Sequence, residues 1–213
     1  MIRPTILIAD DHAVFVEGLQ KILEGQCQIV GAVRNGYELL EAERRLKPQV
    51  VVTDVSMPMM NGIEVVRQLK EVGSRARVIV LSMHEDKEMA IEALRAGAKA
   101  YALKTSASDE LMTAIREVVS GRLFVSQSIS RGEMFEFEQA HKSPQKSSDS
   151  LTVREKEVLQ LVAEGKALKE MAAILNVAIR TVVFHKSNIM EKLGLRSIAE
   201  LTQNAIRRRL ISV

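Results

Sequence analysis

Five short apolar runs, each followed by a stretch of helical character, constrain this chain more than any other feature. They are Ile6-Leu7-Ile8-Ala9, Ile29-Val30-Gly31-Ala32-Val33, Val50-Val51-Val52-Thr53-Asp54, Val78-Ile79-Val80-Leu81 and Ala100-Tyr101-Ala102-Leu103. Runs this short and this apolar suit strands buried on both faces. The stretches between and after them predict helices over Ala13 to about Glu24, Gly36–Leu46, Asn61 to about Glu71, Lys87–Ala96 and Ala107 to about Ser120. The first helix is expected to turn Val14, Leu19, Ile22 and Leu23 mostly inward. The second ends ahead of Pro48, because a proline disfavours helical backbone in the residue before it. Asn61 and Glu64 have the spacing of a capping box, and Gly73, Gly97 and Gly121 close three of the helices. Strands alternating with helices imply an α/β unit: a five-stranded, parallel, doubly wound sheet with right-handed crossovers and the strand of Asp54 at its centre.

Parallel strands bring all their C-terminal ends to one edge, where ligands bind in open α/β sheets. A lone Asp at a strand end is ordinarily a solvated turn or cap residue. Asp54 is not alone, because the other strands end in Asp10-Asp11, Ser82 and Lys104. Three carboxylates so close repel one another unless a cation joins them. Oxygen-rich sites of this kind suit Mg²⁺. A cation, a hydroxyl and an ammonium around a carboxylate would complete a phosphoryl-sized anion, and Asp is a nucleophile for phosphoryl groups.

The order Asp10-Asp11, Asp54, Ser82, Lys104, with the segment Asp54-Val-Ser-Met-Pro-Met-Met-Asn-Gly62, resembles the receiver domain of two-component response regulators over about the first 120 residues. The resemblance implies that Asp54 accepts a phosphoryl group from a sensor histidine kinase. It implies that Asp10, Asp11 and Asp54, with the backbone carbonyl of Ser56, hold Mg²⁺. Ser82 and Lys104 would contact the phosphoryl oxygens, and Tyr101 would be the aromatic that changes orientation on activation. Thr105 departs from the pattern, since many receivers carry a proline with a cis bond there and a non-proline cis bond costs about 3–4 kcal/mol.

The chain has 213 residues, enough for one or two domains. No apolar run approaches the roughly 18 residues of a membrane span, and Met1-Ile2-Arg3-Pro4 leads straight into a strand, so neither a span nor a signal peptide is expected. Cys27 is the single cysteine, which excludes an intrachain disulfide, reads as a packing residue and suits a cytoplasmic protein. Net charge is +3 and uneven: residues 149–213 carry 11 Lys/Arg against 7 Asp/Glu, leaving the remainder mildly acidic. A basic tail behind an acidic front points to nucleic-acid contact by the tail. The absence of Trp and 3% aromatic content argue against a large aromatic ligand pocket.

The expected organisation is a receiver over 1–122, a short helix and flexible linker over 123–150, and a separate all-α domain over 151–213. In the middle stretch, Leu123-Phe124-Val125 and Met134-Phe135-Glu136-Phe137 are small apolar clusters. A helix over about 126–139 is expected, followed by a polar linker. Phe135 and Phe137 are expected to pack on a domain, with a dimer or interdomain contact as the weaker alternative.

Four helices are expected in the tail, over 153–164, about 168–175, about 179–192 and 198–209. Thr152-Val-Arg-Glu155 and Ser197-Ile-Ala-Glu200 are capping boxes, and the tight turn at Asn176-Val177 suggests helix-turn-helix. Along the third helix, Val182, His185, Ile189 and Leu193 share one side at spacings of three and four. Arg180, Val183, Phe184, Ser187 and Glu191 share the other, so Val183 and Phe184 should be exposed unless something covers them. Either they form a protein interface or they belong to a recognition helix, where apolar groups touch thymine methyls and Arg180 meets phosphate or a base edge. Lys169 and Lys186 are candidate phosphate contacts, and His185 is a core residue rather than a metal ligand.

Leu151-Thr-Val-Arg-Glu-Lys-Glu-Val-Leu159, Gly165, Lys169-Glu170-Met171-Ala172, Arg180-Thr-Val182, His185-Lys186 and Lys192-Leu-Gly194 resemble the LuxR-type helix-turn-helix. The two halves together are similar to NarL/FixJ-type response regulators. That resemblance implies a DNA-binding transcription regulator that dimerises on DNA when phosphorylated. Lys169, Arg180, Thr181, Val183, Phe184, Lys186 and Ser187 would form the DNA face, and Ile198, Leu201 and Ala205 the dimer contact. Ala167-Leu168 stands where the family favours Ser-Asn, and Ala178 where a Ser often begins the recognition helix. Val183, Phe184 and Ser187 replace Lys or other polar readers. Two other readings compete. A haloacid-dehalogenase-type enzyme would carry a second acid two residues after the nucleophile, where this chain has Ser56. An adaptor whose tail no longer binds DNA would use Val183 and Phe184 for a protein partner.

Overall fold

The computed structural model describes residues 3–57, 60–83, 85–130, 134–142, 151, 153–195, 197 and 199–202. The chain divides into two compact units, Met1–Pro144 and Gln145–Val213.

The first unit runs β1 (Thr5–Ala9), α1 (Ala13–Leu23), β2 (Gln28–Val33), α2 (Gly36–Leu46), β3 (Val50–Asp54), α3 (Gly62–Glu71), β4 (Arg77–Ser82), α4 (Lys87–Ala96), β5 (Ala100–Leu103), a 3-10 turn (Lys104–Ser106), α5 (Ala107–Val119), β6 (Phe124–Val125), α6 (Gln127–Ser130) and α7 (Met134–Lys142). The sheet order is β2-β1-β3-β4-β5-β6, with every pair parallel. The strand order reverses beside β1 and β3, the crevice where doubly wound sheets bind ligands. Every residue of β3 is buried, as expected of a central strand covered on both faces. One layer of core joins Ile6, Ile8, Val50, Val52, Ile79 and Leu81 to Leu19 and Leu23 of α1 and to Leu111, Ile115 and Val118 of α5.

Register sets the heights of the strand ends. Ala9 pairs with Thr53, so Asp10 and Asp54 follow at the same level. Asp54 pairs with Leu81, placing Ser82 one residue farther along. Ser82 pairs with Leu103, placing Lys104 one residue farther again. Local chemistry fixes the helices behind these ends. Asn61 accepts from Glu64 N at 2.8 Å, Asn35 from Glu38 N at 2.9 Å and Asp86 from Met89 N at 3.0 Å, so α3, α2 and α4 all start on side-chain caps.

Several expectations are corrected. The sheet has six strands, not five: Phe124-Val125 adds to β5, pairing Ala100 with Phe124 and Tyr101 with Val125. A two-residue strand is too short to show periodicity. Of the helix expected over 126–139, residues 127–130 and 134–139 are helical, in α6 and α7, and both elements belong to the first unit, which therefore extends past residue 122. Phe137 is fully buried while Phe135 is 71% exposed, so only one of the pair packs. Val14 is 83% exposed rather than inward, since it lies in the first turn of α1 beside the site edge. No cis peptide occurs among the described residues; the chain leaves Lys104 through a trans bond into the 3-10 turn.

The second unit contains α8 (Val153–Ala163), α9 (Leu168–Ile174) and α10 (Ile179–Lys192), with residues 199–202 also helical. Thr152, Ile198, Ala205 and the remainder of the expected fourth helix lie outside the described residues, as do residues 143–150 of the expected linker, whose first residues His141 and Lys142 belong to α7 instead. Val158, Leu159, Met171, Val182, Ile189 and Leu201 meet in its core. Asn176 takes a left-handed conformation (φ 51°) between α9 and α10, one of the few non-glycine residues that tolerate it, and this makes the helix-turn-helix corner. Neither Ala167 nor Ala178 caps its helix with a side chain. Glu170 partly compensates by accepting from Ala167 N at 2.7 Å. Glu155 is completely buried, and the Lys192 ammonium meets both its oxygens at 2.7 and 3.0 Å, joining α8 to the end of α10.

Candidate functional site

At the C-terminal sheet edge, Asp10 and Asp54 are 1% and 2% exposed. Lys104 reaches both, its Nζ 2.6 Å from Asp10 Oδ2 and 2.8 Å from Asp54 Oδ2. The ammonium also stands over the Phe15 ring, 4.7 Å from its centroid, a cation–π arrangement that shields it from water. Two buried carboxylates thus share one buried ammonium, and a third, Asp11, stands partly exposed beside them. Burial pushes the Asp54 carboxyl above its usual value. The Lys104 charge opposes that shift, the nearby Asp10 adds to it, and a hydrogen bond from the Ser56 backbone works against it.

The turn after β3 shapes the pocket floor. Gly62 N donates to Val55 O at 2.9 Å, folding α3 back onto the strand end. A Cβ on Gly62 would lie 2.1 Å from the Asp54 carbonyl oxygen, so only glycine fits there. The sequence pattern read this residue as part of a turn; the structure shows that it sets how closely α3 approaches Asp54.

Ligand atoms of Asp10, Asp11, His12 and Asp54 all lie within 4.8 Å of one another. Carboxylate oxygens exceed the available positive charge, and such a donor set fits a hard divalent cation such as Mg²⁺. His12 was not anticipated, although it directly follows Asp10-Asp11. Its Nδ1 lies 2.8 Å from Asp11 Oδ1 and 3.2 Å from Asp10 Oδ1, and its backbone N–H donates to Asp10 Oδ1 at 2.9 Å. Phe15 was also missed; it reads as an ordinary apolar helix position until the fold places it under Lys104.

Ser82 is 3% exposed, and its hydroxyl lies 4.0 Å from Met89 Sδ in α4. Tyr101 is fully buried. Burial pushes its phenol far above the usual value, offset in part by the adjacent Ser82 hydroxyl. Ser126 ties the edge to β6 by accepting from Leu103 N at 3.0 Å, and its own N–H donates to Tyr101 O at 3.0 Å.

On the tail unit, Lys169, Arg180 and Ser187 are exposed, Val183 is 40% exposed and Lys186 is half-buried. Three expected surface residues are not at the surface. Phe184 is 4% exposed and meets His185 edge-on, with ring centroids 5.4 Å apart; Thr181 is 1% exposed. Both lie on the flank of α10 that turns toward Val182 and His185, so the buried face of this helix is wider than a stripe at spacings of three and four. Leu201 is completely buried in the core of its own unit and offers no side chain to a second copy. His185, at 2% exposure, sits in the interior, as expected.

Fold and site together define a receiver-type α/β unit followed by a helix-turn-helix unit. The sequence matches the response regulator receiver domain over residues 6–116 and the luxR family of bacterial regulatory proteins over residues 149–205. The chain belongs to the two-component response-regulator family, with a luxR-type regulatory domain; it is a regulator, not an enzyme. The oxygen regulatory protein NreC of Staphylococcus aureus is 35% identical over 213 residues, covering 97% of this chain and 98% of that protein. Among solved structures, the RcsB response regulator of Salmonella typhimurium is 28% identical with a TM-score of 0.58, covering 97% of this chain and 100% of the other. A structure of two RcsB dimers bound to two parallel DNAs gives 28% identity and a TM-score of 0.60, covering 95% and 97%. Among the described residues, no helix is long and apolar enough to cross a membrane.

Proposed function

We propose that this chain is a DNA-binding transcription regulator switched by phosphoryl transfer from a histidine kinase to Asp54, in the cytoplasm, with dimerisation on DNA. The observation that carries this reading is the buried Asp54 carboxylate held 2.8 Å from Lys104 beside Asp10. An Asp54 oxygen attacks phosphorus. The bond from phosphorus to the kinase imidazole nitrogen breaks, and the imidazole leaves with that electron pair. Lys104 shifts its ammonium from the two carboxylates toward the phosphoryl oxygens, and Ser82 donates its hydroxyl to one of them. Asp10, Asp11, Asp54 and the Ser56 carbonyl hold Mg²⁺, which when bound supplies Lewis-acid stabilisation of charge on the phosphoryl oxygens. Once Ser82 moves toward Asp54, Tyr101 loses its neighbour and is free to reorient.

Because attack needs the ionised carboxylate and burial raises the pKa of Asp54, acceptance speeds up as pH rises through that value. On the tail, Lys169, Arg180 and Lys186 position the unit on phosphates, and Val183 and Ser187 meet base edges. RcsB, similar over nearly the whole chain, has been solved on DNA.

The test is selective binding of genome fragments at fixed moderate salt, with and without Mg²⁺ plus beryllofluoride, for wild type and Asp54→Asn. Binding that tightens with the mimic only in wild type is expected. Selective binding indifferent to the mimic would remove the switch, and no selective binding under any condition would favour the protein-adaptor reading.

A further inference from the structure

His12 takes the N-cap position of α1 in an extended conformation, yet its side chain does not cap the helix. Ser, Thr, Asp and Asn are the usual residues there, so the helix start gives no reason for an imidazole. The ring lies on the carboxylates instead. The backbone N–H of His12, 2.9 Å from Asp10 Oδ1, pins the residue to the sheet edge. Nδ1 then stands 3.2 Å from the same Asp10 oxygen and 2.8 Å from Asp11 Oδ1. The two Asp10 oxygens are divided between neighbours: Oδ2 meets the Lys104 ammonium at 2.6 Å, and Oδ1 faces His12.

These separations suit an octahedral ion. Donors about 2.1 Å from such a centre lie about 3.0 Å apart along each edge. Nδ1 is thus at edge distance from two carboxylate oxygens at once, and one ligand atom each of Asp10, Asp11, His12 and Asp54 falls within 4.8 Å of the others. Charge agrees with geometry. Three ionised carboxylates against the single Lys104 ammonium leave an excess that a divalent ion cancels. A neutral imidazole adds a donor without altering that balance. With its hydrogen on Nε2, the ring presents the Nδ1 lone pair to the ion. The side chain is 44% exposed, so an ion and its waters can reach it.

We propose that His12 is a ligand of the cation held at this edge, and that its nitrogen tunes the site toward first-row transition ions, Co²⁺ and Mn²⁺, over Mg²⁺. The inference rests on the cation reading above and deepens it. Carboxylate and carbonyl oxygens suit Mg²⁺, whereas an imidazole nitrogen adds little for so hard an ion and much for borderline ones. Asp10, Asp11, Asp54 and the Ser56 carbonyl therefore decide whether an ion binds, and His12 decides which. A His12 that only oriented Asp11 by a hydrogen bond would support every ion alike.

The experiment is equilibrium ion binding on the full chain, without any phosphodonor. Mn²⁺ is titrated and read by its paramagnetic resonance signal, and Co²⁺ and Mg²⁺ are measured by competition against it. In wild type, pulsed resonance of the bound Mn²⁺ should show coupling to a nitrogen, and that coupling should change when the protein carries isotopically labelled histidine. His12→Ala should lose the coupling and weaken Co²⁺ binding at least about tenfold, with Mn²⁺ weakened less and Mg²⁺ kept within about twofold. Asp11→Asn should weaken all three ions. Bound Mn²⁺ without nitrogen coupling, or coupling that survives in His12→Ala, would overturn the ligand role and leave the cation reading standing. An equal loss for all three ions in His12→Ala would also overturn it, making His12 a positioning residue. Ion binding indifferent to Asp11→Asn would instead overturn the cation reading itself.

Discussion

At the sheet edge of the first unit, Asp10, Asp54 and Lys104 are nearly excluded from solvent, while on α10 of the second unit Arg180, Val183 and Ser187 stand in it. The first arrangement concentrates opposing charges in a low-dielectric pocket, where each group is defined by the others. The second spreads single side chains along a helix, and its meaning depends on what is brought to it. Substitutions should therefore disturb the first region through electrostatics and close packing. On the second they should act through the domain core or through the partner, but not through both.

The largest stability loss should come from the buried side of α10. Phe184→Ala empties a space of ring size and should cost about 3–5 kcal/mol, read as a lower melting transition of the tail unit. A loss below about 1 kcal/mol would mean that Phe184 is not part of the interior. Lys104→Ala should cost roughly 3 kcal/mol at neutral pH by leaving Asp10 and Asp54 without their shared cation. That loss should shrink in acid as the carboxylates take up protons. Next comes Gly62→Ala, which should cost about 2 kcal/mol through overpacking against the Asp54 carbonyl and slow phosphate incorporation at Asp54; wild-type stability and rate would break the proposed role of that contact.

A smaller effect has the opposite sign. The Asp54 pKa is raised in the folded chain, so its contribution to stability is full below the unfolded carboxylate value, near 3.9, and lost as pH rises through the folded one. Asp54→Asn should consequently be more stable than wild type at neutral pH. The gap should vanish below about pH 4, which thermal melts across pH would show. Smallest of all, Arg180→Ala should leave melting within about 0.5 kcal/mol yet weaken DNA binding, with its salt slope reduced by about one. A variant that lost stability and kept its DNA affinity would erase the contrast between the two regions.

The parts of the molecule that the sequence made legible are those where one residue type forces one geometry. Apolar runs marked β1 to β5, Asn and Asp caps marked helix starts, and polar residues at successive strand ends marked the edge where Asp10, Asp54, Ser82 and Lys104 now lie. What the pattern missed depends on distant partners. β6 exists because two residues find the free edge of β5. Phe137 is buried and Phe135 exposed because α7 rests on α4 with one face only. Phe15 and His12 enter the site through the fold, and nothing in a linear reading distinguishes Phe15 from other helix residues. Phe184 reads as outward because periodicity on one helix cannot count the neighbours packed around it, while the family resemblance, and not any pattern in their own helices, places Thr181 and Leu201 at surfaces.

The pairing register along the sheet places Lys104 two residues beyond the level of Asp54, about 7 Å at the rise of a strand. Its side chain leans back across that drop to reach Asp10 and Asp54. A long, jointed stem anchored above its targets behaves as a swinging arm. It can follow negative charge that moves outward by the length of a P–O bond through rotation about its own methylenes, while β5 and the turn after it stay still. Chain length at position 104 is then a setting in its own right: a shorter ammonium of the same charge would be stranded above the site.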